Sequence, residues 1–190
     1  MNKEIKWYGG IDPGEYGCFA FYLPVQPGVD KSELHFIDLK ISKVSNTKGE
    51  RDGLHQSFSA LAEAVKVFTE ITGKPVLTLV ETPHSMPSDG HVGAFTFGKA
   101  CGLIVGMLHG VGLPQYEAIP SVWKAQLGLT RAQKKGSIAK AQELFAKTHI
   151  PQGHEMFVKP VRHSDGRAEA ALLAWLAAHK MGRIPYSENT

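Results

Sequence analysis

Two acidic residues stand where apolar runs end. Asp12 follows IKWYGGI in a Gly-Gly-Ile-Asp-Pro-Gly segment, and Glu81 closes VLTLVE. In open α/β sheets functional groups gather at the carboxyl ends of strands, and both carboxylates fall at such ends. Asp-Pro-Gly is also common turn chemistry, so Asp12 taken alone is equally a turn former. Glu81 ends a run of the buried kind and needs a partner for its charge unless that strand end is solvated. Asp165 and Glu169 lie four apart and share one face at the start of the last helix. Asp165 serves equally well as an N-cap. Glu169 is set in AEAALLAWLAA, whose circumference must be mostly buried, so it requires a cation or a hydrogen-bond partner. Four carboxylates at two strand ends and a helix start suit a pair of divalent ions about 4 Å apart. Such ions activate water and stabilise the leaving oxygen in phosphodiester cleavage. Oxygen ligands favour Mg²⁺ or Mn²⁺ over zinc.

The elements that must position these groups are legible as alternating β-rich and helical stretches. Residues 5–11 and 17–23 flank a short turn and form an antiparallel hairpin, with a third strand at 33–39. Residues 42–53 are polar and read as a loop. Leu61, Val65 and Phe68 give helical spacing over 54–70. The run 76–81 is a central strand, 82–93 a loop rich in Pro, Ser, Gly and His, and 94–112 a helix. Another strand is expected at 114–118. Pro120 is placed to open a short helix carrying Trp123 and Lys124. Helices at 132–147 and 165–181 enclose a loop at 148–163. The order predicts one α/β domain over 1–190, with a mixed central sheet of about five strands, the first three antiparallel, flanked by helices. Leu172 and Trp175 belong to its core.

Composition is that of an ordinary globular chain, 43% hydrophobic and 21% charged. The net charge of +3 is divided unevenly, −3 over residues 1–120 and +6 over 121–190. A basic second half suits a polyanion gripped from one side, although clustered solvated lysines look the same. Between Lys124 and Lys147 six basic residues (Lys124, Arg131, Lys134, Lys135, Lys140, Lys147) stand against one acid, Glu143. Cys18 and Cys101 have no CxxC or Cys/His spacing, which argues against a disulfide framework or structural zinc and for a reducing compartment. No apolar run approaches the roughly 20 residues of a membrane span, and the N-terminus leaves no room for a signal peptide. The expected setting is the cytoplasm of a bacterium or a phage-infected host rather than an organelle.

The motifs in sequence are GIDPG before a second strand, VETP, a G-x-F-x-FG-x₃-G-x₃-G helix, P-S-x-W-K-x-x-L, a basic helix and DGRAEAALLA. In that order, over about residues 9–178, they resemble RuvC-type Holliday-junction resolvases, the phage and organellar branches above all. The resemblance implies an RNase H-like fold, a four-carboxylate site for two Mg²⁺ or Mn²⁺ ions, and a homodimer acting on four-way DNA. It matches Asp12, Glu81, Asp165 and Glu169 to the family's metal-binding and catalytic carboxylates. The terminal pair departs from the bacterial spacing, and His163 stands ready to share the metal. Lys124 and one of Lys134 and Lys135 match lysines that approach DNA or the scissile phosphate, and Arg131 and Lys140 extend that basic surface. Gly98, Gly102 and Gly106 match a dimer-interface helix; packing on their own sheet is the alternative. Phe95 and Phe97 are a junction wedge or core, with one of them expected in the core. The 82–93 loop is a candidate DNA contact, whereas His84, His91 and His154 read as surface residues.

The expected function is therefore metal-dependent cleavage of branched DNA by paired symmetric nicks. Its rivals are an RNase H-fold nuclease acting on flaps, forks or RNA–DNA hybrids, and a non-catalytic junction-binding protein. An ATP-binding fold of the actin type is disfavoured by length and by the lack of an adenosine motif, and no nucleotide cofactor is expected.

Overall fold

The computed structural model describes residues 6–14, 16–39, 48–82, 90–129, 134–158 and 161–179. Three antiparallel strands, β1 (Tyr8–Asp12), β2 (Cys18–Leu23) and β3 (Glu33–Asp38), come first. After helix α1 (Lys48–Thr72), β4 (Leu77–Glu81) pairs parallel with β1. Helix α2 (His91–Gly110) leads to β5 (Gln115–Ala118), parallel to β4. The sheet order is β3-β2-β1-β4-β5. Three helices follow: α3 (Pro120–Gln126), α4 (Lys134–Leu144) and, after a 3₁₀ turn at His154–Phe157, α5 (Val161–His179). The mixed five-stranded sheet is the one expected.

The two-residue period of the strands sorts their side chains into two cores. Cys18, Ala20 and Tyr22 of β2, with Leu77 and Leu79 of β4, pack under α5, Trp123 and Phe145. Phe19, Phe21 and Leu23, with Ile11 and Val80, face Leu61 and Val65 of α1 and Ile104 and Leu108 of α2. Sandwiched between helices, β2 is buried at every residue, which explains why CFAFYL shows no polar alternation. Leu172 is fully buried in α5, and Trp175 packs partly buried against the same core.

Three boundaries differ from the expectation. The polar stretch read as a loop over 42–53 is helical from Lys48, while 42–47 lie outside the described residues. Lys48–Asp52 contains no proline, and a polar segment extends a helix without supplying apolar period; Gly53 costs it about 1 kcal/mol. Helix α5 starts at Val161, not at 165. Asp165 is therefore its fifth residue and no N-cap, and the 148–163 loop holds the 3₁₀ turn. Helix α2 likewise begins at His91, inside the stretch read as the 82–93 loop, whose residues 83–89 (His84 among them) lie outside the description.

Candidate active site

Strand register decides what meets at the carboxyl end of the sheet. Ile11 of β1 is level with Val80 of the parallel β4, so the next residues, Asp12 and Glu81, emerge side by side. Helix α5 then runs across β1. A Cβ on Gly10 would stand 2.1 Å from the Ala170 carbonyl oxygen and 2.3 Å from the Ala174 nitrogen. A Cβ on Gly166 would meet the Tyr16 carbonyl at 2.2 Å and Asp12 Oδ2 at 3.1 Å. These two glycines let helix backbone rest on strand and turn backbone, which brings the segment holding Asp165 and Glu169 against Asp12.

The electrostatics report the same convergence. Burial, and then the negative charges of Glu81 and Glu169, push the Asp12 carboxyl up to about 7. The Gly14 amide, donating to Oδ1 at 2.9 Å, works the other way, and Asp165 adds a smaller upward push. The other three sequence-selected carboxylates thus all act on Asp12. Lys124 enters the cluster from α3: its Nζ lies 2.8 Å from Glu169 Oε1 and 4.0 Å from Glu81 Oε2. Burial works to lower the Lys124 pKa, but the hydrogen bond and charge of Glu169, then Glu81 and Asp12, prevail and raise it. The Trp123 indole N–H donates to Glu81 Oε2 at 2.8 Å, and the Ser137 hydroxyl to Glu169 Oε1 at 2.9 Å. Glu169 therefore has both a cation and a hydrogen-bond donor, as its apolar helix demanded.

Arg167, buried between the two acidic positions of α5, donates Nε to Asp38 Oδ1 at 2.8 Å and Nη1 to the Met156 carbonyl at 3.2 Å. A bidentate guanidinium–carboxylate pair fixes direction as well as distance, so Arg167 locks α5 to the end of β3. His163 lies edge-on to Tyr16, ring centroids 5.4 Å apart, and its buried Nδ1 has no hydrogen-bond partner.

Among the described residues, no three His, Cys, Asp or Glu side chains form a closed cage for one ion. The ammonium of Lys124 lies between Glu81 and Glu169 instead. The donor chemistry nevertheless suits a hard divalent cation: oxygen ligands, and a carboxyl on Asp12 whose pKa is raised by burial and then by its acidic neighbours.

The other sequence candidates divide. Lys140 is paired with Glu143 at 2.9 Å. Lys134 and Lys135 open α4 by position, but their side chains, like Arg131 and the Phe97 side chain, lie outside the described residues. Phe95 is 74% exposed, so of the two phenylalanines Phe97, whose side chain lies outside the described residues, is the one left for the expected core place. Gly98, Gly102 and Gly106 are exposed, and among the described residues no atom lies within 4 Å of an added Cβ, which argues against packing on their own sheet. His91 and His154 are exposed, as expected.

Sequence reasoning missed Gly10, Ser137 and Trp123 as site-building residues, and Arg167 and Gly166 beyond their place in a motif. The one local signal was the packing of Pro, Trp and Lys into PSVWK. Trp123→Phe tests its share. Losing the donor to a carboxylate should cost about 1.5–3 kcal/mol, read as a lower denaturation midpoint, and cleavage should fall more than stability alone explains.

No family model matches the chain. The chloroplastic Holliday junction resolvase MOC1 of Chlamydomonas reinhardtii is 32% identical over 117 residues, 61% of this chain. The match spans only 12% of that protein. Among solved structures, Thermus thermophilus RuvC in complex with a Holliday junction substrate superposes with a TM-score of 0.59 at 20% identity, over 95% of this chain and 99% of that one. A second T. thermophilus RuvC structure gives 0.57 at 19%, over 90% and 95%. The yeast mitochondrial Holliday junction resolvase gives 0.51 at 16%, over 87% and 75%. No described helix is long and apolar enough to cross a membrane. Strand order, the mixed sheet and these likenesses agree: the chain has the RNase H-like fold of RuvC and is similar, in sequence and in architecture, to the RuvC-type Holliday-junction resolvases.

Proposed function

We propose that the chain is a divalent-metal-dependent endonuclease that resolves four-way DNA junctions by paired, symmetric nicks. The observation that carries this reading is the convergence of Asp12, Glu81, Asp165 and Glu169, where burial and then the charges of its neighbours raise the Asp12 carboxyl to about 7. These four, with His163 beside them, would hold two Mg²⁺ or Mn²⁺ ions. When bound, the ions supply an activated water and charge stabilisation at the leaving oxygen. The chain's own residues prepare the place: Trp123 orients Glu81, Arg167 and the close approaches at Gly10 and Gly166 set the pitch of α5, and Lys124 supplies positive charge for a scissile phosphate. Basic residues of α4 and its approach (Arg131, Lys134, Lys135, Lys140) neutralise phosphates further along, which makes binding steeply salt-dependent.

A two-fold junction presents two equivalent strands, and a C₂ homodimer puts one site at each. The open row Gly98, Gly102, Gly106 is the surface we assign to that interface, with Phe95 as the side chain that enters the junction. The named relatives belong to a chloroplast, a mitochondrion and a thermophile. Kinship therefore does not favour the cytoplasm over an organelle.

The test is cleavage of end-labelled four-way junction, fork, linear duplex and RNA–DNA hybrid, each with Mg²⁺ or EDTA. Paired nicks at symmetric positions of the junction, absent in EDTA, are expected. Metal-independent cutting would refute the mechanism, equal cutting of fork or hybrid would move the activity to a broader nuclease, and binding without cutting to a junction-binding protein.

A further inference from the structure

Two donors approach Glu169, and both reach the same oxygen. Lys124 Nζ and Ser137 Oγ lie 2.8 and 2.9 Å from Oε1, so neither bond uses Oε2. The two donors differ in what they can hold. Lys124 carries its charge on a flexible four-carbon stem and is already shared with Glu81 at 4.0 Å. A competing cation or phosphate draws it away. Ser137 is 3% exposed, its hydroxyl is set one carbon off the backbone of α4, and a carboxylate is its hydrogen-bond partner. It stays when Lys124 leaves.

We propose that Ser137 is a positioning residue for Glu169, holding Oε1 and so presenting Oε2 as the oxygen offered to a divalent cation. The inference rests on the metal-dependent reading of the site. It also gives α4 a second task. The helix that begins with Lys134 and Lys135 reaches the carboxylate cluster through this hydroxyl, 32 residues from its acceptor in sequence. Outer hydrogen bonds of this kind orient ligands, and their loss weakens metal binding by about 10–100-fold.

The experiment uses the full chain with Ser137→Ala and Ser137→Thr. Mn²⁺ binding to the DNA-free protein is titrated by calorimetry, junction binding is measured in EDTA, and the Mg²⁺ concentration for half-maximal cleavage is determined. For Ser137→Ala the Mn²⁺ Kd should rise about tenfold. Half-maximal Mg²⁺ should move the same way, junction affinity in EDTA should stay at the wild-type value, and Ser137→Thr should restore metal binding. A wild-type Mn²⁺ Kd in Ser137→Ala would overturn the proposal, whether melting temperature or junction affinity falls beside it. If Ser137→Ala does not fold, Ser137→Cys, of similar size and a weak donor, is judged by the same Kd. Wild-type protein that neither binds Mn²⁺ nor cuts DNA would defeat the nuclease reading itself, a result distinct from failure of the variant alone.

Discussion

Asp12→Asn should abolish cleavage and, in EDTA at pH 8, make the protein more stable than wild type. The first effect follows from removing the carboxylate at the centre of the cluster that we propose holds the metal; a loss of about a thousandfold corresponds to roughly 4 kcal/mol of transition-state stabilisation. The second follows from the pKa. Asp12 titrates at about 7 in the folded chain against an ordinary value of 3.8. Between those values the unfolded chain has released the proton while the folded chain keeps it, so stability declines as pH rises from about 4 to 7. Above 7 the full penalty applies, about 3 pKa units or some 4 kcal/mol as an upper bound. Part of Asp12 is solvent-exposed, which reduces it to about 2–4 kcal/mol. Asparagine has nothing to ionise. Thermal denaturation in EDTA should show the two proteins converging below pH 4 and separating by about 5–10 °C above pH 7. Saturating Mg²⁺ should close the gap by stabilising wild type more than the variant. An Asp12→Asn protein less stable than wild type at pH 8 without metal would show that the carboxylates do not crowd one another.

Gly10→Val is expected to be the most damaging single change outside the carboxylates. The contacts facing its Cβ are helix backbone at 2.1 and 2.3 Å and Leu173 Cβ at 2.9 Å, none of which is the end of a flexible side chain. Helix α5 would have to lift from β1, opening the larger core and moving Asp165 and Glu169 off Asp12 together. A loss above about 4 kcal/mol is expected, a large share of the 5–15 kcal/mol that holds a domain together. The measurement is urea denaturation by circular dichroism, and a midpoint near wild type would refute the close crossing. Gly102→Ala is the contrast. With open space around it in α2, alanine should add up to about 1 kcal/mol of helix propensity. Sedimentation of that variant then reads the dimer separately, since a Cβ at a close helix crossing keeps the partner away.

What the sequence disclosed and what it withheld divide along chain distance. Asp12 and Glu81 were readable because a carboxylate ending an apolar run advertises its place at a strand end, and register did the rest. Glu169 was readable as a problem: an apolar helix around a charge demands a partner. The partners themselves, Lys124 and Ser137, come from separate helices 45 and 32 residues away, and no local spacing encodes such a meeting. Asp38 and Arg167 are 129 residues apart and were likewise invisible as a pair. Gly10 read only as a residue of the first strand because its real constraint, a helix crossing above it, is tertiary. The start of α1 was missed because polar residues mark loops and solvent-facing helix turns alike.

The crossing of α5 over β1 also has a consequence for how the molecule comes into being. The first strand and the last described helix are separated by about 150 residues of chain, so their union is the costliest loop to close and belongs late in folding. During vectorial synthesis β1 leaves the ribosome first and must wait for α5. Until then the nascent chain has Asp12 and Glu81 but lacks both Asp165 and Glu169. An unfinished copy thus holds half of the carboxylate cluster, and the other half arrives in the same step that closes the core.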